Sequence, residues 1–230
     1  MSETTTATTT FQRARRPEQR EVRRQAILQA AVDMLADMPV AEISLRELSR
    51  RVGLAKSNVL RYFETREAVF LELLDRAWHD WLDALEAGEL PPPPAAPLGR
   101  ASAYAPVARA TAESLGRRPL LCELISVLPG VLERNVSTEV VRSFKQRALG
   151  HNSRLGRLLG ERIPELDETA SIELASTVFT FAVGLWPLAN PAPSVVAALE
   201  DPCLAGAHVD FADRLARTTE LTVAGLLNRS

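Results

Sequence analysis

Residues Ser44–Val69, SLRELSRRVGLAKSNVLRYFETREAV, decide the fold of this 230-residue chain. Leu45, Leu48 and Val52 fall at i, i+3 and i+7, one apolar stripe on a short helix. Ser44 stands just before the stripe and Glu47 three residues later, the capping-box pattern of a helix start. Gly53 follows, the residue for which the left-handed backbone of a helix end costs least. After a tight turn, a second short helix carries Val59 and Phe63 inward at i and i+4. It leaves Lys56, Ser57, Asn58, Arg61 and Tyr62 on its other faces. Two short helices across a Gly-containing turn make a helix-turn-helix. The donors, amide and phenol of the second helix suit the major groove of DNA. The same spacing also fits a helical hairpin buried in an all-helical domain, so periodicity alone leaves DNA binding open.

The residues after Phe63 add to this. Thr65 reads as the N-cap of a further helix with Val69, Phe70, Leu73 and Leu74 on its apolar side. Arg66 lies in its first turn, where a cation opposes the helix dipole unless an anion such as a DNA phosphate sits beside it. From Arg24 to Leu74, the order RRQAILQAAVDMLAD, AEISLRELSRRVGLAKSNVLRYF, ETREAVFLELL resembles the DNA-binding domain of the tetracycline repressor-like (TetR) family of bacterial transcription regulators. The resemblance covers roughly fifty residues. It implies an all-α chain of about nine helices: a three-helix DNA-binding domain, then a helical domain that binds a small-molecule effector and dimerises. The expected divisions are a disordered basic arm over 1–17, the helix-turn-helix domain over 18–64 and the effector domain over 65–230.

The side-chain chemistry gives the base contacts. Arg46 offers a bidentate donor for guanine, Lys56 a single donor, Asn58 an amide for adenine. Ser57 is small enough for close approach to a base, and Arg61 lies one turn further on. The resemblance implies phosphate anchoring by Ser44, Tyr62 and Arg66, with Arg66 where the family usually has Lys. Leu60 departs from the pattern, because the family usually places a phosphate-contacting Tyr there.

Charge supports the division. Through Glu64, eleven Arg or Lys face eight Asp or Glu, and beyond it sixteen face twenty-one, so a basic module precedes an acidic one. The N-terminus is Thr-rich and then Arg-rich with no apolar core, so no signal peptide is expected. Arg13, Arg15, Arg16, Arg20, Arg23 and Arg24 make a basic arm, broken by Pro17, which reads either as a solvated tail or as a tracker of phosphates and the minor groove. No stretch approaches the roughly 20 uninterrupted apolar residues of a membrane span, and Val178–Leu188 is too short. The expected location is the cytoplasm, with no membrane partner.

Helix 1 is expected over about Glu18–Asp37, with Ile27, Ala31, Met34, Leu35 and Met38 inward. Helix 4 is expected over Thr65–Ala87, as the mechanical link between the halves. After the prolines of 88–99, helices are expected near 98–115, 119–133, 137–162, 167–188 and 210–228, with a short turn at 194–199. The last two long helices suggest a subunit interface, and the family's dimers join through a four-helix bundle of such helices. The interface residues assigned are Val178, Phe181, Leu185, Phe211, Leu215, Thr222 and Leu226. Two copies would match a palindromic double-stranded operator.

Candidate effector contacts are Trp78, Trp81, Tyr104, Cys122, Phe144, His151, Phe179 and Trp186, an apolar and aromatic set that points to a hydrophobic effector. No cofactor is implied. His79, His151 and His208 lie far apart in sequence, Cys122 and Cys203 have no paired spacing, and no metal or nucleophile motif occurs. An enzyme whose site assembles only in the fold and a helical interaction scaffold are the alternatives to a DNA-binding regulator.

Overall fold

A computed structural model describes the backbone of residues 6–228 and the side chains of 18–100 and 102–228. It contains ten α-helices and, among the described residues, no strand. The chain forms two compact units, Met1–Leu73 and Leu74–Ser230.

The first unit holds α1 (Thr6–Leu35), α2 (Leu45–Val52), α3 (Lys56–Val59) and the start of α4 (Arg66–Ala84). Ile27, Leu28, Ala31 and Met34 of α1 are buried with Leu48, Val59, Phe63, Val69 and Phe70. The disordered arm was to reach residue 17; residues 1–5 lie outside those described, but from Thr6 the backbone is helical and passes through Pro17. The two compact units meet between Leu73 and Leu74. The first turns of α4 are tied to the first unit by Arg66 and Glu72, whose partners are given below.

The second unit comprises the rest of α4, α5 (Ala105–Gly116), α6 (Pro119–Val127), α7 (Thr138–Arg162), α8 (Glu168–Ala189), α9 (Pro193–Ala198) and α10 (Phe211–Leu227). Wider turns follow α4 (Leu85–Glu89, where Gly88 has φ 119°) and α6 (Leu128–Leu132). Asp167 and Asp210 cap α8 and α10 by accepting from the N–H groups of Ala170 (2.8 Å) and Asp213 (2.7 Å). α10 packs on α5 and α8, and α8 also packs on α6 and α7. The α7–α8 contact depends on two glycines one turn apart. A Cβ on Gly156 would lie 3.1 Å from the Ile172 Cα, and one on Gly160 would lie 2.7 Å from the Ser171 Oγ. By length and composition α8 is apolar enough to cross a bilayer, more so than Val178–Leu188 suggested. A third of the apolar stretch of α8 is buried inside the protomer, where the helix meets α6, α7 and α10.

Ion pairs tie the end of α4 to α7. Arg154 donates to Glu86 (2.6 Å) and Asp83 (2.7 Å), and Arg157 donates to Glu86 (2.7 Å). The Arg154 hydrogen bond, against an opposing effect of burial and with help from Arg157, lowers the Glu86 carboxyl from 4.5 to about 2. Arg118 does the same for Glu89, again to about 2, with Ser114 assisting against burial. Both depressed carboxyls favour the folded state fully above pH 4.5, and that contribution is lost as pH falls toward 2. The urea midpoint is therefore expected to fall across this window and to fall less steeply in Glu86→Gln/Glu89→Gln. An equal slope in the two proteins would contradict these pairings.

Candidate nucleic-acid interface

The helix-turn-helix forms through the residues that announced it. The Glu47 N–H donates to the Ser44 Oγ at 3.1 Å, so Ser44 caps α2. The reciprocal half of the capping box is not made, because the Glu47 carboxylate pairs with Arg50 instead. Gly53 ends α2 at φ 68°, with its N–H on the Arg50 carbonyl. α3 is a single turn that continues as turns, with the Phe63 N–H reaching the Val59 carbonyl (3.1 Å) and both side chains buried. Thr65 caps α4 by accepting from the Ala68 N–H at 3.2 Å.

The outward surface that results carries all five assigned base readers. Arg46, Lys56, Ser57, Asn58 and Arg61 are exposed, and Tyr62 is half-buried. Arg46, Lys56 and Ser44 border one depression of about 580 Å³, shared with Arg50. Arg61 and Tyr62 border another of about 1090 Å³ with Arg20 and Arg23 of α1. That second grouping places two arginines of the expected arm beside Arg61 and Tyr62, in the turns just after α3. Leu60, where a phosphate-contacting Tyr was expected, is exposed and presents only an apolar side chain.

Two arginines behave otherwise. Arg66 does not extend outward: one terminal nitrogen donates to the carbonyls of Val40 (3.2 Å), Ala41 (3.2 Å) and Ile43 (2.6 Å), and its Nε donates to buried Glu67 (2.9 Å). Arg24 donates to the Tyr62 carbonyl (3.0 Å) and to Glu72 (3.1 Å), and its guanidinium lies 4.3 Å from the Phe63 ring centre. They fasten the two ends of the helix-turn-helix, Arg66 ahead of α2 and Arg24 behind α3. Sequence reading missed this role. For Arg24 a signal existed, since it continues the buried stripe Ile27, Ala31, Met34 one step back.

The candidate effector contacts divide. Trp78, His151 and Phe179 come together: Trp78 stacks on Phe179 (centroids 4.6 Å apart, 7° between planes) and lies 5.4 Å from the His151 ring. The buried Trp78 Nε1 has no hydrogen-bond partner among the described residues. His151 Nε2 is 2.9 Å from Asp75, whose carboxyl is raised by burial but lowered further by His151 and Arg147, leaving it below its usual range. The other five have separate partners. Trp81 Nε1 donates to the Ser114 Oγ (3.0 Å). The Tyr104 hydroxyl accepts from the Leu98 N–H and donates to Glu165; burial, then Glu165, raises its pKa. Cys122 donates to the Leu115 carbonyl (3.3 Å), and burial pushes its thiol up to about 12. Phe144 is fully buried, and Trp186 meets Phe211 edge-on at 5.2 Å.

The assigned interface residues fall in different environments. Val178, Phe211, Leu215 and Leu226 are buried within their own unit, because the α8 and α10 stripes pack on α5, α6 and on each other. A stripe spent inside the protomer cannot also face a partner. Phe181 remains exposed, and Leu185 and Thr222 are half-buried.

Comparison with known proteins follows the same division. Residues 27–73 match the family described as bacterial regulatory proteins, tetR family, and residues 75–230 match the tetracyclin repressor-like C-terminal domain. The HTH-type transcriptional regulator EthR of Mycobacterium tuberculosis is 43% identical over 51 residues, which are 22% of this chain and 24% of that regulator. The curated relative is thus matched over only a quarter of its length. A TetR transcriptional regulator from Rhodococcus sp. RHA1 superposes with a TM-score of 0.53 at 19% identity, over 90% of this chain and 96% of that one. A putative TetR-family regulator from Mesorhizobium loti MAFF303099 gives 0.52 at 14% identity, over 91% and 97%. At these identities the two structures speak for the fold alone.

Proposed function

The chain belongs to the tetracycline repressor-like family of bacterial regulatory proteins, and from that premise we propose that it is a homodimeric, sequence-specific DNA-binding transcription regulator of the cytoplasm. In this reading it represses from a palindromic operator, and a small hydrophobic effector releases it. The observation that carries the reading is the joint exposure of Arg46, Lys56, Ser57, Asn58 and Arg61 around a capped, Gly-terminated helix-turn-helix. These side chains read base edges, while the Ser44 hydroxyl and Tyr62 take phosphates. Two copies double the contact set and match the symmetry of the site.

The effector acts by binding one arrangement of the dimer better than the other; equal affinity for both would release nothing. The stacked Trp78 and Phe179 beside His151 favour a flat, aromatic ligand, with the Trp78 Nε1 a donor awaiting an acceptor. Protection of the DNA flanking the protein's own coding region, measured with and without candidate aromatic effectors, tests the reading. A two-fold symmetric footprint that an effector abolishes is expected. Binding that ignores sequence, or protection that no effector changes, would count against it.

A further inference from the structure

Between α8 and α10 the chain leaves the core. α9 and the turn Pro202–Ala207 contain no buried residue. The excursion is nevertheless built: Asp201 accepts from the Cys203 N–H (2.8 Å), and His208 Nε2 lies 3.0 Å from the Leu199 carbonyl. Ordering such a segment costs conformational entropy, which its own contacts do little to offset. It also turns Val195, Val196 and Leu204 outward. With Phe181 and Leu188 on α8 and Leu221 on α10, these are six of the ten large apolar side chains exposed among the described residues. Six such side chains on two adjoining helices and the segment that joins them point to an interaction surface.

We propose that residues 192–208 form an arm that lies across the outer faces of α8 and α10 of a second copy of this chain. The proposal rests on the dimeric reading above and assigns that dimer a component beyond helix-on-helix contact. Without the arm, α8 and α10 expose only Phe181, Leu188 and Leu221 as large apolar anchors. A stable interface buries around 800 Å² on each partner, built on a well-packed apolar centre. The arm doubles the number of anchors and continues from Leu188 without a break.

Charge selects a second copy over an unrelated protein. Glu200 on the arm and Arg214 on α10 are both exposed, and neither side chain has an ion-pair partner among the described residues. In a two-fold interface each residue of one surface meets the other surface of its partner, so opposite charges carried by one chain become self-complementary. Gly184 lies between Phe181 and Leu188, and Gly225 one turn beyond Leu221. Both are exposed, with nothing within 4 Å of where a Cβ would stand, so the receiving faces are low enough for an incoming backbone.

Sedimentation equilibrium on the full chain tests this with Val195→Asp/Val196→Asp, Glu200→Arg and the charge exchange Glu200→Arg/Arg214→Glu. The wild type is expected to be dimeric at micromolar concentration. The double aspartate variant should raise the dimer dissociation constant at least about tenfold. Glu200→Arg should weaken the dimer, and the exchange should restore it. Because the substituted arm side chains are exposed, helix content and thermal midpoint at matched protomer state should not change. A photo-crosslinking residue in place of Val196 should join two copies, through residues of α8 or α10. A wild-type dimer that both arm variants leave intact overturns the arm and spares the dimeric reading; a monomeric wild type removes both. Adducts to other proteins in place of a second copy also overturn it.

Discussion

Arg66→Ala is expected to lower the stability of the N-terminal unit by about 2–3 kcal/mol, the scale for losing charge-assisted hydrogen bonds to partly buried acceptors. The Arg66 guanidinium holds three carbonyls of the segment just ahead of Ser44, and Glu67 beside it is buried. Removing it frees the start of α2 and takes away the Arg66 hydrogen bond to the buried Glu67 carboxylate. DNA binding should weaken through misplacement of Arg46, while the slope of log affinity against log salt stays at the wild-type value. A direct phosphate contact would behave in the opposite way: stability unchanged and the slope reduced by about one. Arg66→Lys should recover part of the loss, since an ammonium can donate to the carbonyls that one terminal nitrogen of Arg66 reaches but cannot also supply the second nitrogen that bonds Glu67. Urea melts and binding isotherms between 50 and 200 mM salt separate the two roles. A shallower slope at wild-type stability would return Arg66 to the phosphates.

Arg46→Ala and Lys56→Ala are expected to act on recognition instead. Both side chains are exposed and border the same depression, and replacing either alters no buried contact. Each should cost about 1–3 kcal/mol at the operator and far less on scrambled DNA, because a base-edge donor discriminates whereas a phosphate contact does not. Thermal midpoints should remain within a degree or two of wild type. Equal losses on operator and scrambled DNA would reassign both side chains to the backbone.

What could be read from the sequence follows from where the deciding interaction lies. Ser44, Gly53 and Thr65 were legible as helix ends because caps are local, set within three or four residues. α7, α8, α9 and α10 lie within about a residue of where periodicity places them, whereas α5 starts at Ala105 rather than near 98 and α6 ends at Val127 rather than near 133. Arg66 is not legible as a fastener, since its carbonyl acceptors lie more than twenty residues away and its chemistry fits a phosphate equally well; for Arg24 the helical stripe marks the inward side but not the acceptors. Val178, Phe211, Leu215 and Leu226 show a different limit. A stripe declares that it will be covered, not whether its own chain or another copy covers it. Gly156 and Gly160 sat unremarked in a helical pattern, because a close approach is visible only once the neighbouring helix is in place.

Those two glycines have a mechanical consequence. Ile172 and Ser171 sit in notches on α7 floored by hydrogen atoms alone, flanked by the larger Leu155, Leu158 and Leu159. Sliding one helix along the other would drive these side chains out of the notches and onto the leucines, a steep steric climb in an interior packed as densely as a crystal. The α7–α8 register is therefore held by shape, and sliding one helix along the other carries a steric cost.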